Sequence, residues 1–165
     1  MRVADVDVEY EERYWYPDDG AVIWVAGYSV VDPASGRYLA RDAPELAARG
    51  LVVAGVAGAA AFHDDVLQSE AVAPGSPLAL RRDAGNEHDP NAIAVDLPGD
   101  GGQLGWVPRE VAASMAESLD AGEPWSAVVL RERRASPRDP RTGVTMLLAH
   151  AESIELRAAG PRRRR

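Results

Sequence analysis

The stretch from Leu78 to Arg109, LALRRDAGNEHDPNAIAVDLPGDGGQLGWVPR, constrains the fold more than any other part of the chain. Leu78 and Leu80 alternate in one apolar run, and Ile93, Val95 and Leu97 alternate in the next, the period-two signature of half-buried strands. Between them, Asp83 to Asn91 is the densest cluster of hydrogen-bonding side chains in the sequence. Pro98-Gly99-Asp100-Gly101-Gly102 turns the chain, and Gln103 to Val107 returns as a third strand. Pro108 suits the first turn of a helix, where its missing N–H costs nothing. Val111, Met115 and Leu119 then share one helical face, and Gly122 and Pro124 stop the helix.

The flanks repeat the pattern. Val6, Val8 and Tyr10 alternate with carboxylates, Pro17-Asp18-Asp19-Gly20 is a turn signal, and Ala21 to Val31 is a second apolar run. Asp32-Pro33-Ala34-Ser35-Gly36 reads as a hairpin turn. Asp42 and Glu45 have capping-box spacing for a short helix, Ala43 to Arg49, which Gly50 ends. Leu51 to Ala57 is a short strand, and Ala59 to Val66 opens a short helix. Trp125 to Arg131 and Val144 to Leu156 supply the last strands. Many short strands with one or two helices point to a mainly β fold, a small closed or partly open barrel.

With 165 residues, one domain with a small appendage is expected. Cysteine is absent, which excludes disulfides and thiolate zinc sites. Lysine is absent too, and all 18 basic residues are arginine, so the P-loop lysine and Schiff-base chemistry are excluded together. No apolar run approaches the roughly 20 residues needed to span a bilayer, and MRVADVDVEYEER carries carboxylates where a signal peptide has its apolar region. A soluble cytoplasmic protein is expected. The formal charge of −8 argues against coating long nucleic acid through the overall field, but leaves room for a local basic pocket.

Chemistry is concentrated in the polar loop. Asp83, Asn86, Asp89 and Asn91 either bind a ligand or bond their own backbone to hold the turn. Arg109 sits in the first turn of the expected helix, where the macrodipole disfavours a cation; a cation beside free N–H groups makes an anion site suited to phosphate. His63 and His88, with Asp64, Asp65 and Asp89, have the residue types of a zinc or manganese site but no known ligand spacing. No serine lies in a GxSxG nucleophile elbow.

The block Asn86-Glu87-His88-Asp89-Pro90-Asn91-Ala92-Ile93-Ala94-Val95, preceded by Leu78 to Asp83, resembles the signature of the HIRAN domain family, Asn-Pro-Tyr-Asp-x-Asn-Ala-Ile-x-Val. Leu104-Gly105-Trp106-Val107-Pro108-Arg109 is similar to that family's Gly-Tyr-Val-Pro-Arg segment, and Leu51 to Val56 to its opening strand. The resemblance implies an OB-like barrel with accessory helices that holds a single-stranded DNA 3′ end in a pocket. It implies that Asp89 accepts a hydrogen bond from the 3′-hydroxyl and that Asn86 supports the loop or touches the terminal nucleotide. Arg109 would meet a phosphate, Trp106 and Phe62 would offer stacking surfaces, and Arg81 and Arg82 would add phosphate contacts. Two or three such cations imply a slope of about −1.4 to −2.1 in log K against log salt, at about −0.7 per phosphate on a single strand.

The chain departs from the family in two places. Ala60-Ala61-Phe62 stands where eukaryotic members have Arg-Tyr-Tyr, and Glu87-His88 stands for Pro-Tyr. The leading expectation is a binding module, not an enzyme, that needs no cofactor. It would comprise a hairpin-and-helix extension (1–50), an OB-like barrel (51–157) and a disordered basic tail (158–165). Its partners would be single-stranded DNA or DNA 3′ ends; with no Walker motif, any helicase, ATPase or nuclease would be a separate chain. A protein-interaction module with eroded DNA binding is the alternative, and a metal-dependent nuclease or phosphoesterase the third.

Overall fold

The computed structural model describes residues 2–17 and 20–159. Asp18 and Asp19 of the first expected turn, and residues 160–165 of the expected basic tail, lie outside the described residues. The protein is mainly β. Among the described residues, nine strands run in chain order as β1 (Val3–Trp15), β2 (Ile23–Val30), β3 (Leu51–Gly55), β4 (Pro77–Arg82), β5 (Ile93–Asp96), β6 (Gln103–Trp106), β7 (Ser126–Arg134), β8 (Arg141–Ala149) and β9 (Ser153–Ala158). Four α-helices, α1 (Pro44–Ala48), α2 (Ala59–Phe62), α3 (Asp64–Leu67) and α4 (Arg109–Asp120), and a 3-10 turn at Glu70–Val72 accompany them among the described residues.

All nine strands belong to one sheet, and β7 is its branch point. Along one edge β7 pairs with β8, which pairs in turn with β3. Its other edge is shared: Ala127 and Val128 pair with β4, whereas Arg131 to Arg134 pair with β2. From β4 the ladder continues to β5 and β6. Ala57, just past β3, bridges Trp106 of β6 through reciprocal bonds of 2.8 and 2.9 Å, which closes β3-β8-β7-β4-β5-β6 into an OB-like barrel. Gly105 makes that seam possible, since a Cβ there would stand 2.4 Å from the Ala57 carbonyl oxygen. The other branch runs from β2 to β1 and then, in parallel, to β9.

Two apolar cores explain the strand composition. The first fills the barrel and includes Ile93, Val95, Leu104, Val129, Met146 and Leu148, with Met115 of α4. The second lies between the barrel and the N-terminal strands and includes Val6, Val8, Val30, Leu46, Val128, Leu130 and Leu147. Consecutive residues of β7 and β8 therefore point into different cores, so these strands are apolar without alternation, as expected when both faces are buried.

Local details differ from the sequence expectations. The α1 N-cap is Ala43, not Asp42, because Pro44 takes the first turn. The helix expected over Ala59 to Val66 is broken at His63 (φ −139°, ψ 38°), and the bend brings Ala59 and Leu67 into the barrel core together. On α4 the fully buried residues are Ala112, Met115 and Ala116, with Val111 and Leu119 packed beside them half-buried.

Candidate nucleic-acid interface

The loop between β4 and β5 is built by its own side chains. Asp83 N donates to the Ala92 carbonyl at 2.9 Å, closing the loop at its base. The Asn86 Oδ1 accepts from the backbone N–H of His88 (2.9 Å) and of Asp89 (3.0 Å), while its Nδ2 donates to Asp83 Oδ2 at 3.1 Å. Asp89 Oδ1 accepts from Asn91 N at 2.9 Å. Asx turns of this kind satisfy the backbone locally, which is why the segment holds its shape without belonging to a strand.

Asp89 Oδ2 is left facing Arg109, whose Nε lies 3.7 Å away, and Arg109 Nη2 donates to the His88 carbonyl at 3.2 Å. Arg109 is the first residue of α4, and its side chain is 73% exposed, so its pairing with Asp89 leaves most of the guanidinium open to solvent.

Aromatic side chains complete the neighbourhood. Phe62, 74% exposed, stands edge-on to Trp106 with ring centroids 6.1 Å apart, and His63 packs on the same indole at 5.1 Å. Gly58, at φ +75°, lets α2 start against this ring: a Cβ there would lie 3.1 Å from Trp106 Cε3 and 3.2 Å from Phe62 Cδ2. Phe62, Asn86, His88, Asp89, Trp106 and Arg109 line one cavity of about 520 Å³, with Ala57, Ala92 and Val107 completing its lining. That is the size range of small-ligand pockets.

Arg81 and Arg82 do not line this cavity. Arg81 pairs with Asp96 (Nε to Oδ2, 2.8 Å) and Arg82 with Asp120 (Nε to Oδ1, 2.9 Å) and the Ala92 carbonyl. These bonds hold both guanidinium pKa values above their ordinary level, and the Arg82 bond holds the Asp120 carboxyl below its own. Among the described residues, no group of three His, Asp or Glu side chains is placed to hold a metal ion; His88 lines the cavity, whereas His63 packs on Trp106 and does not line it. No helix there is long and apolar enough to cross a membrane. Sequence reasoning missed the acidic partners of Arg81 and Arg82. Gly58, just before the aromatic-bearing α2, was the available signal for the close approach of that helix to Trp106.

Comparison with known proteins gives one family and two structural neighbours. The HIRAN domain family model matches residues 53–145. The crystal structure of the HIRAN domain of human HLTF is similar at 25% identity, over 62% of this chain and 78% of that one, with a TM-score of 0.44. A crystal structure of a protein from Lactobacillus plantarum is similar at 21% identity, over 59% and 92% of the two chains, with a TM-score of 0.42. No curated protein matches.

Proposed function

Because the chain belongs to the HIRAN domain family, a family of nucleic-acid-binding modules, we propose that it binds single-stranded DNA at 3′ ends, in the cavity between the Asp83–Asn91 loop and the start of α4. The observation that carries the reading is the set of chemistries lining that cavity: the Asp89 carboxylate oxygen that faces Arg109, the largely exposed Arg109 side chain, and the exposed Phe62 ring beside Trp106. Asp89 Oδ2 accepts a hydrogen bond from the terminal 3′-hydroxyl. Arg109 meets the adjacent phosphate, and Phe62 offers its face to the terminal base, a contact worth about 1–3 kcal/mol. Asn86 acts through the loop it braces. The module catalyses nothing by itself, and any helicase, ATPase or nuclease works from a separate chain.

Fluorescence anisotropy with 3′-hydroxyl and 3′-phosphate single strands tests this. A 3′-phosphate sets negative charge against Asp89, so hydroxyl ends bind more tightly; Asp89→Asn narrows that gap while keeping hydroxyl binding. Arg109→Ala costs about tenfold, or about 1.4 kcal/mol. With one cation in the cavity, a short strand shows a salt slope of about −0.7. Equal binding of both ends removes Asp89 from the pocket. A second reading, a protein-interaction module, is favoured by the net charge of −8 and by Ala60-Ala61 in place of a cation and an aromatic; no binding of any oligonucleotide at low salt selects it.

A further inference from the structure

Away from the cavity, the strand register relates Arg13, Arg131 and Arg133 where the N-terminal strands meet the end of β7, and Arg41 acts electrostatically on the last two. Arg133 lies directly opposite Gly143 on β8, and its guanidinium folds across that glycine: a Cβ at 143 would stand 2.2 Å from Arg133 Nη2. Arg131 lies opposite Gly27 on β2, where a Cβ would stand 2.6 Å from the arginine Cα, and its Nη1 donates to the Tyr28 carbonyl at 2.9 Å. Arg13 on β1 pairs with Val25, which pairs on its other side with Arg133. Arg41, exposed in the turn before α1, is the fourth.

Arg131 and Arg133 are half-buried, while Arg13 and Arg41 are exposed, and half-buried arginines are ordinarily matched by carboxylates. On the same strands Arg134 and Arg141 share Glu132. Among the described residues, however, Arg41, Arg131 and Arg133 form no ion pair. Glu11 reaches the cluster and is already 3.5 Å from Arg13. The register sets Glu11 in one row with Gly27 and Arg131, but Glu11 is paired with Arg13, so Arg131 and Arg133 keep their charge without an ion-paired carboxylate. Burial first, then Arg41 and its neighbours, lowers the pKa of Arg131, and burial and Arg41 do the same to Arg133.

We propose that Arg13, Arg41, Arg131 and Arg133 form a second anion site, separate from the end pocket, that takes the phosphodiester backbone of a single nucleic-acid strand. The inference rests on the nucleic-acid reading for the identity of the ligand, and not on the 3′-end pocket. Planar guanidiniums suit phosphate oxygens, and the glycines opposite Arg131 and Arg133 leave room for the side chains to lie along the sheet.

A circular single-stranded oligonucleotide tests it, because it has no end for the pocket. The circle binds the wild-type protein, and the double variant Arg41→Gln/Arg133→Gln reduces the salt slope by about 1.4, two phosphates at about 0.7 each. Neither residue lines the cavity, so a short 3′-hydroxyl strand binds the variant as before. Removing repelling charges also leaves the melting temperature of the variant no lower than wild type. Should the double variant fold poorly, Arg41→Gln alone, at an exposed residue, reduces the slope by about 0.7. A circle that does not bind, or that binds the variants with unchanged slope, overturns the second site while leaving the pocket untouched. Displacement of the circle by pyrophosphate at equal concentration would make it a small-anion site instead and overturn the strand-binding claim. Failure of the short strand with retention of the circle would overturn the pocket alone.

Discussion

Asn86 spends most of its amide on its own loop, with Oδ1 taking two backbone N–H groups and Nδ2 held by Asp83. Its role is therefore to aim Asp89. Asn86→Ala leaves two N–H groups without their acceptor, at about 1 kcal/mol each if water replaces it imperfectly. The expected result is a stability loss of about 1–2 kcal/mol in urea denaturation, together with loss of preference for hydroxyl over phosphate ends. A variant that keeps full end discrimination would show that Asp89 is held without it. Asp89 itself divides its two oxygens between structure and ligand, Oδ1 to Asn91 N and Oδ2 toward Arg109. For that reason Asp89→Asn, which keeps an oxygen for Asn91, is the informative substitution, and Asp89→Ala would mix loop damage with lost recognition.

At the scale of elements, α4 is pinned at both ends, by Arg109 to the loop and by Asp120 to Arg82 of β4. Asp120 ends the helix, where the macrodipole disfavours a carboxylate, and Arg82 offsets this. The Asp120 pKa is depressed, chiefly by that hydrogen bond. Its contribution is thus present above the ordinary aspartate pKa and is lost as pH falls through the lowered one. Urea denaturation of wild type and Asp120→Asn should differ at about pH 7 and converge toward about pH 2; a gap that is constant with pH would mean the pair adds nothing. How far α4 and its neighbours could be read from sequence follows from what each signal measures. Pro108, the apolar period and Gly122 gave the helix, but the face was turned, because Ala112 and Ala116 carry too little hydrophobicity to register against Val111 and Leu119. The polar loop and the cavity residues were legible because they are contiguous motifs. Arg81 and Arg82 were not, since their partners Asp96 and Asp120 depend on strand register and on where α4 ends. The parallel pairing of β1 with β9, between opposite ends of the chain, has no local signal at all.

The whole molecule is held together by the second core, and this bears on whether residues 1–50 can be cut away. Those residues supply Val6, Val8, Val30 and Leu46, which cover Leu51, Val53, Val128, Leu130 and Leu147 on the outside of the barrel. Each large side chain loses about 1.5–3 kcal/mol if fully uncovered. Even a partial loss over five of them rivals the total stability of about 5–15 kcal/mol expected for a domain. Two ladders go as well: Arg131 to Arg134 lose β2, and β9 loses its partner β1. A fragment spanning 51–157 would then present an apolar face and unpaired strand edges, the features that drive aggregation. The expected outcome is a fragment that is insoluble or unfolds without cooperativity by circular dichroism, although it contains the whole 53–145 match. Supplying residues 2–50 in trans should recover part of the fold, because the interface is an apolar face with two edges to pair. If 51–157 instead folds as a monomer with wild-type melting behaviour, the N-terminal strands are an appendage, and the barrel core alone carries the stability.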